Sequence, residues 1–160
     1  MIDVPGYVLT WLGGGVAGGV ATLVYIRRYA RNRGRDVRAL VASGAADWAA
    51  NCRITSGAEL LADSEVTAAR HRHPAGFLVA TDGRLEWRPD GWSVDVGWRP
   101  GSRSLADVRL VRTARRRDVS GLRIRAIELA VPGGVVRAFV AVEAGVSPWQ
   151  TAYRSSPEGG

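Results

Sequence analysis

The sequence predicts a mainly β protein with one N-terminal transmembrane helix and one short C-terminal helix. A run without charge extends from Val4 to Ile26, which predicts the first helix. From Glu65 onward, short runs with period-two alternation are separated by turn residues, which predicts seven consecutive antiparallel strands. Ser147-Pro148 is typical of a helix start and predicts the closing helix.

The uncharged run is long enough to cross a bilayer. A helix over residues 4–26 would span about 34 Å, against about 30 Å for the hydrocarbon core. Arginines follow this run, whereas only Asp3 precedes it, so the positive-inside rule predicts a single-pass protein of the cell membrane. The N-terminus would lie outside and the C-terminal domain in the cytoplasm. The arginines behind this orientation are Arg27, Arg28, Arg31, Arg33, Arg35 and Arg38.

Glycines within the predicted span are four residues apart. Gly14 and Gly18 form one such pair, and Gly15 and Gly19 form another. This spacing places small residues on one helix face and lets two helices approach closely. It predicts either homodimerisation or packing against a partner helix. The alternative is that glycine is simply frequent in transmembrane helices.

The chain after the span divides into three segments. Residues 27–64 are predicted as a basic juxtamembrane segment and a helical connector, since apolar residues over Asp36–Asn51 have helical spacing. Residues 65–154 are predicted as the β domain and residues 155–160 as a disordered tail. Asp82-Gly83 is the clearest hairpin signal. The predicted strands are 65–72, 75–81, 84–88, 92–98, 105–113, 121–131 and 135–142.

Three stretches of this domain carry a resemblance to a known superfamily. They are EVTAARHRHPAGFLVATDGRLEWRP at 65–89, LADVRLVR at 105–112 and VSPWQTAY at 146–153. In their order of strands, turns and closing helix they resemble the pleckstrin-homology and GRAM (PH/GRAM-like) superfamily. The resemblance implies a seven-stranded small barrel capped by a C-terminal helix. With its anchor and arginine run, the chain is similar to short actinobacterial single-pass membrane proteins with a PH/GRAM-like domain.

Arginine clusters are the candidate contacts to anionic lipid head groups, because a guanidinium can donate two hydrogen bonds to one phosphate. Resemblance to lipid-binding pleckstrin-homology domains implies phosphate contacts for the R-x-R at the end of the first strand. Three more arginines form a predicted loop cluster, and three follow the span. The alternative for the R-x-R pair is a solvated polar strand end. For the loop cluster it is a solvated charge run or nucleic acid, and for the arginines after the span it is a stop-transfer and orientation signal. The candidates are Arg27, Arg28, Arg31, Arg70, Arg72, Arg115, Arg116 and Arg117.

Composition restricts the function classes. The net charge is +7, which favours anionic partners. All 22 basic residues are arginine, and together with the abundant alanine and glycine this usage indicates a GC-rich bacterial source. Nucleic acid is disfavoured, because the tryptophans are predicted to pack in the core rather than to interleave with basic residues. Cys52 is the single cysteine, so no intramolecular disulfide can form.

No motif predicts catalysis. The chain has no phosphate-binding glycine loop outside the predicted span and no nucleophile elbow. His71 and His73 share a strand face, but no further metal ligand stands near them in sequence. The sequence therefore predicts no catalytic, cofactor-binding or metal-binding residues, and a protein that is not an enzyme.

Two hypotheses for the function follow. In the first, a membrane-anchored cytoplasmic binding or scaffold module contacts a protein partner, anionic lipid or both. In the second, a small accessory subunit of a membrane complex packs through its glycine-rich helix.

Overall fold

The computed structural model describes residues 6–63, 73–117 and 123–149. The chain divides into two compact units, Met1–Asn32 and Arg33–Gly160. In the first unit the described residues form one helix. The second unit is built on a seven-stranded antiparallel sheet.

Helix α1 covers Gly6–Ala42, which is 37 residues. It ends where Gly44 adopts a left-handed conformation with φ +73°. The amide of Gly44 donates to the carbonyl of Val41 at 3.0 Å, and the Ser43 hydroxyl donates to the carbonyl of Leu40. These bonds satisfy carbonyls that the last turn leaves without a helical partner. The predicted connector helix is therefore helical only as far as Ala42.

The predicted transmembrane span is wrong. Across the described ranges 6–63, 73–117 and 123–149, no helix has both the length and the apolar character that crossing a membrane requires. The prediction took absence of charge as apolar character, whereas glycines such as Gly18 and Gly19 contribute no apolar side chain. The predicted single-pass topology and cell-membrane location, with the N-terminus outside and the domain in the cytoplasm, are corrected with it.

The sheet has the strand order β4-β3-β2-β1-β7-β6-β5, and every neighbouring pair is antiparallel. The strands are β1 (Trp48–Ser56), β2 (Ala75–Thr81), β3 (Arg84–Pro89), β4 (Gly101–Ser104), β5 (Arg109–Arg117), β6 (Arg123–Val131) and β7 (Gly134–Gly145). Strand β1 is central, because it pairs with β2 on one side and β7 on the other. It begins inside the segment 36–51 that was predicted to be helical.

The hairpin predicted at Asp82-Gly83 is confirmed. Both residues have positive φ, 49° and 72°, as a type I′ turn requires. They connect β2 and β3, whose register pairs Thr81 with Arg84.

The strand predicted over 92–98 is instead a short helix, α2 (Gly91–Asp95). Asp90 is the reason: its side chain accepts a hydrogen bond from the Ser93 amide at 2.8 Å and caps the first turn. Ser93 is fully buried, and its hydroxyl exchanges hydrogen bonds with the backbone of Ala75. This local capping outweighs the period-two pattern. The short edge strand β4 follows, and the predicted strand 65–72 lies outside the described residues.

The predicted small barrel is also wrong, because the sheet is open with β4 and β5 at its edges. It is nevertheless strongly curved. Ser104 and Arg109 are five residues apart, so their Cα atoms lie within about 19 Å. A flat sheet would place the edge strands about 29 Å apart, six spacings of about 4.8 Å. The Ser104 hydroxyl caps a 3-10 helix, Leu105–Asp107, which turns the chain between the two edge strands, β4 and β5.

One apolar cluster fills the inner face of this curved sheet, the face that carries Trp48, Ile54 and Ile127. The predicted closing helix begins at Pro148-Trp149, beyond which the chain leaves the described residues. Trp149 is buried and stands edge-on to Trp48, with ring centroids 6.1 Å apart. This is a favourable aromatic geometry, so the start of the helix covers the inner face.

The outer face of β1 and β2 is covered by the end of α1 that belongs to the second unit. Val37 packs there against Ala49 and Val79. Arg33 is held by an ion pair with Asp90, 3.0 Å from Nη2 to Oδ2, and its guanidinium lies 4.6 Å from the ring centroid of Phe77. The centre of the sheet is therefore buried on both faces.

Candidate anion-binding site

The β5–β6 hairpin places arginines directly opposite one another. Arg115 is paired with Arg125, and Arg117 is paired with Arg123. Directly opposite residues of an antiparallel pair have Cα atoms about 4.5 to 5.5 Å apart. Four positive charges are thus held at one end of two neighbouring strands.

All four of these arginines lie on the inner face. On β6 the buried residues are Ile127, Leu129 and Val131, which belong to the inner cluster. Because every second side chain of a strand lies on the same face, Arg125 and Arg123 lie on the same face as these buried residues. Cross-strand partners lie on the same face of a sheet, so Arg115 and Arg117 do as well. We call Arg115, Arg117, Arg123 and Arg125 the arginine quartet.

One carboxylate partly balances the quartet. Among the described residues, Glu143 is the carboxylate that pairs with a quartet member, through Nη2 of Arg125. Glu143 also accepts a hydrogen bond from Nε1 of Trp48 at 3.3 Å. Counting four guanidinium groups and this one carboxylate, the local charge is about +3 at neutral pH.

This arrangement carries an energetic cost. Like charges directly opposite across two strands are destabilising. Nε of Arg125 is moreover buried without a hydrogen-bond partner. A buried donor left without a partner costs free energy. The quartet therefore lowers the stability of the fold and carries positive charge that its one described carboxylate does not balance.

The quartet is accessible. Arg115, Arg117 and Arg123 are exposed, and the side chain of Arg125 is 27% exposed. Each guanidinium presents a planar fork of donors that matches carboxylate or phosphate oxygens. The site can therefore bind an anion without rearrangement of the sheet.

Arginines on the outer face of the same strand have different neighbours. Arg112 is opposite Glu128, and Arg116 is opposite Ile124. Glu128 forms an ion pair with Arg137, 3.1 Å from Oε1 to Nε. The outer face thus combines arginine with a carboxylate and apolar residues, and it has no Arg–Arg pair in the β5–β6 register.

The predicted arginine cluster at 115–117 is placed on β5 rather than in a loop. Strand alternation separates its members, so Arg115 and Arg117 share the inner face and Arg116 lies on the outer one. Arg123 and Arg125 were not among the predicted site residues. Their alternation with apolar residues was visible in the sequence, but the register that pairs them with β5 was not.

The remaining predicted lipid contacts divide between two places. Arg27, Arg28 and Arg31 are exposed on α1 in the first unit. Arg70 and Arg72 lie outside the described residues. Their roles stay predictions.

The predicted packing glycines belong to α1. A Cβ added at Gly18 or Gly19 would meet nothing within 4 Å. Gly14 and Gly15 lie earlier in the same helix. Helix packing through these four residues stays a prediction.

Cys52 is buried in the apolar cluster of the inner face. Burial raises the pKa of its thiol from 9.0 to about 12, although a hydrogen bond with the Leu78 backbone lowers it in part. A neutral, inaccessible thiol is unreactive. Within the described ranges there is also no group of three His, Cys, Asp or Glu residues that could hold a metal ion.

Comparison with protein families, with curated proteins and with solved structures gives no match for this chain. The similarity to actinobacterial PH/GRAM-like proteins stays a prediction.

Proposed function

We propose that this protein is a binding module that takes up a phosphate-bearing anion at the arginine quartet. Two pairs of directly opposed arginines carry the proposal, Arg115 with Arg125 and Arg117 with Arg123. One described carboxylate balances them in part. Such pairs weaken a sheet unless an anion lies between them. A bound anion would convert repulsion into charge-assisted hydrogen bonds.

The size of the quartet favours one or two phosphate groups. Along the strands, its two pairs are separated by two residues, about 7 Å. Across the strands the separation is about 5 Å. This area fits a phosphate monoester or a diphosphate better than an extended polyanion, which would need a longer basic track. Phosphate suits arginine because several acceptor oxygens meet planar donor forks.

Phosphate of this kind has two sources, a soluble metabolite and a lipid head group. A membrane tether does not enter the proposal, since no membrane-crossing helix is found among the described residues. The experiment therefore measures both sources with the full chain. Calorimetry with inorganic pyrophosphate tests the soluble source. Co-sedimentation with phosphatidylcholine vesicles, with and without phosphatidic acid, tests the lipid.

The β5 strand offers a matched pair of double variants. R115Q/R117Q removes two charges from the inner face, and R112Q/R116Q removes two charges from the outer face of the same strand. We expect the inner double variant to weaken pyrophosphate binding at least about tenfold, which corresponds to about 1.4 kcal/mol. The outer variant should change it by less than about twofold, because only long-range attraction is reduced.

Each possible result either supports the proposal or overturns it. Binding of pyrophosphate with the inner variant impaired supports the proposal. Added binding of phosphatidic acid vesicles, with the same dependence on the inner arginines, assigns the phosphate to a lipid. Equal losses in both variants, or binding of neither probe, would overturn the proposal.

A further inference from the structure

The two edges of the sheet differ in how they are covered. At the β4 edge, Arg103 donates to the carbonyls of Leu60 and Ala62, both at 3.1 Å. Gly101 packs so closely on the Leu61 carbonyl that a Cβ there would overlap it. The β4 edge is thus occupied by the chain itself.

Within the part of the chain that the structure describes, the outer edge of β5 has no neighbouring strand. Strand β5 pairs with β6 on one side, and among the described residues no backbone hydrogen bond reaches it from the other. The strand is nine residues long and contains no proline. Its side chains are mostly exposed, and Val111 is 52% exposed. An open edge of this length presents a row of backbone donors and acceptors that can pair with another strand.

We infer that the β5 edge binds an extended acidic peptide segment of a partner protein as an eighth strand. This inference goes beyond the proposed phosphate site, because it uses the backbone edge and both faces of β5. Strand addition of this type draws affinity from main-chain hydrogen bonds and specificity from alternating side chains.

Charge selects the partner. Five of the nine residues of β5 are arginine and none is acidic. A second copy of the chain pairing through the same edge would bring ten arginines together, which like-charge repulsion opposes. A strand with acidic residues would instead face Arg115 and Arg117 on the inner side and Arg112 and Arg116 on the outer side.

The register limits where such a strand binds. A bulge between Leu110 and Arg112 interrupts the regular ladder at the start of β5. Regular pairing then continues from Arg112 to Arg117, six residues or about 20 Å. The peptide should therefore need acidic residues at both odd and even positions over about six residues.

The test uses the full chain and two synthetic peptides of equal charge. One peptide has glutamates at both odd and even positions, interspersed with valines. The other has prolines in place of the valines, which prevents regular strand pairing while keeping the charge. Fluorescence anisotropy gives the affinities, and NMR amide exchange reports whether β5 amides become protected.

We expect the valine peptide to bind at least about tenfold more tightly than the proline peptide and to protect β5 amides. Because an added strand has side chains on both faces, R112Q/R116Q and R115Q/R117Q should each weaken it, and by similar factors. Pyrophosphate, in contrast, should respond only to the inner variant.

This difference makes the two proposals fail separately. Equal affinity for both peptides would show attraction without strand pairing and would overturn the edge inference. An effect of the inner variant alone on the valine peptide would overturn it as well. Neither outcome alters the pyrophosphate measurement. Circular dichroism of each variant confirms that the fold is retained.

Discussion

Strands β1 and β5 have the same length, nine residues, and belong to the same sheet, yet their surroundings are opposite. β1 is paired on both sides, and most of its residues are buried on both faces. β5 is paired on one side and is mostly exposed. β1 contains one arginine, whereas β5 contains five. The comparison indicates that the centre of the sheet supplies stability, and the proposed binding belongs to the edge.

The largest difference should appear when one apolar side chain is shortened in each strand. Ile54→Ala in β1 removes a side chain with no exposed surface and leaves a cavity, so we expect it to lower the free energy of unfolding by about 3 kcal/mol. Val111→Ala in β5 should change it by less than about 0.5 kcal/mol, since the valine is half exposed. Urea unfolding followed by circular dichroism measures both. Equal losses would contradict the assignment of stability to the centre.

This contrast also explains which strands the sequence could reveal. β2, β3, β6 and β7 lie close to their predicted bounds, because turn signals such as Asp82-Gly83 and Pro132-Gly133 delimit them. β1 was predicted to be helical at its start. A strand buried on both faces has no polar alternation, and Trp48-Ala49-Ala50 fits a helix equally well. Only tertiary pairing with β2 and β7 makes it a strand.

A second test concerns the ion pair that holds the end of α1 on the outer face of β1 and β2. Asp90 pairs with Arg33, with side chains 7% and 16% exposed, and also caps α2. We expect Asp90→Asn to cost about 2 kcal/mol, because it leaves a largely buried guanidinium without its charged partner. Glu86→Gln is the control. Glu86 pairs with Arg88 at a more exposed site, so its loss should cost less than about 1 kcal/mol.

Thermal and urea unfolding of these two variants give the comparison. A loss for Glu86→Gln as large as that for Asp90→Asn would show that burial does not set the strength of these ion pairs. It would also contradict the inference that the ion pair of Arg33 stabilises the packing of the end of α1 on the sheet.

The sequence predicted two of the four residues of the arginine quartet. The run at 115–117 indicated concentrated positive charge, and that indication led to two members of the quartet. Arg123 and Arg125 come from the next strand, and the bulge at Leu110 shifts the register that brings them opposite. Register depends on the pairing of whole strands, which one-dimensional spacing does not determine. The same limit explains why Arg116 was grouped with residues on the other face.

A further, small effect on stability should have the opposite sign. R115Q/R117Q removes one member of each opposed arginine pair, and an unfavourable cross-strand contact of this kind is worth about 0.2 to 1 kcal/mol. We therefore expect this variant to unfold at slightly higher urea concentration than the parent chain in the absence of phosphate. R112Q/R116Q should gain less, because Arg112 faces Glu128 rather than another arginine.

Salt provides the control for this gain. Raising ionic strength from about 0.1 M to about 1 M shortens the Debye length from about 10 Å to about 3 Å, so repulsion in the parent should weaken and the gain should shrink. If the inner variant were less stable than the parent at low salt, the quartet would be a source of stability. If it gains stability while losing pyrophosphate binding, the parent chain keeps a repulsive cluster that lowers its own stability, as expected of a site shaped for a ligand.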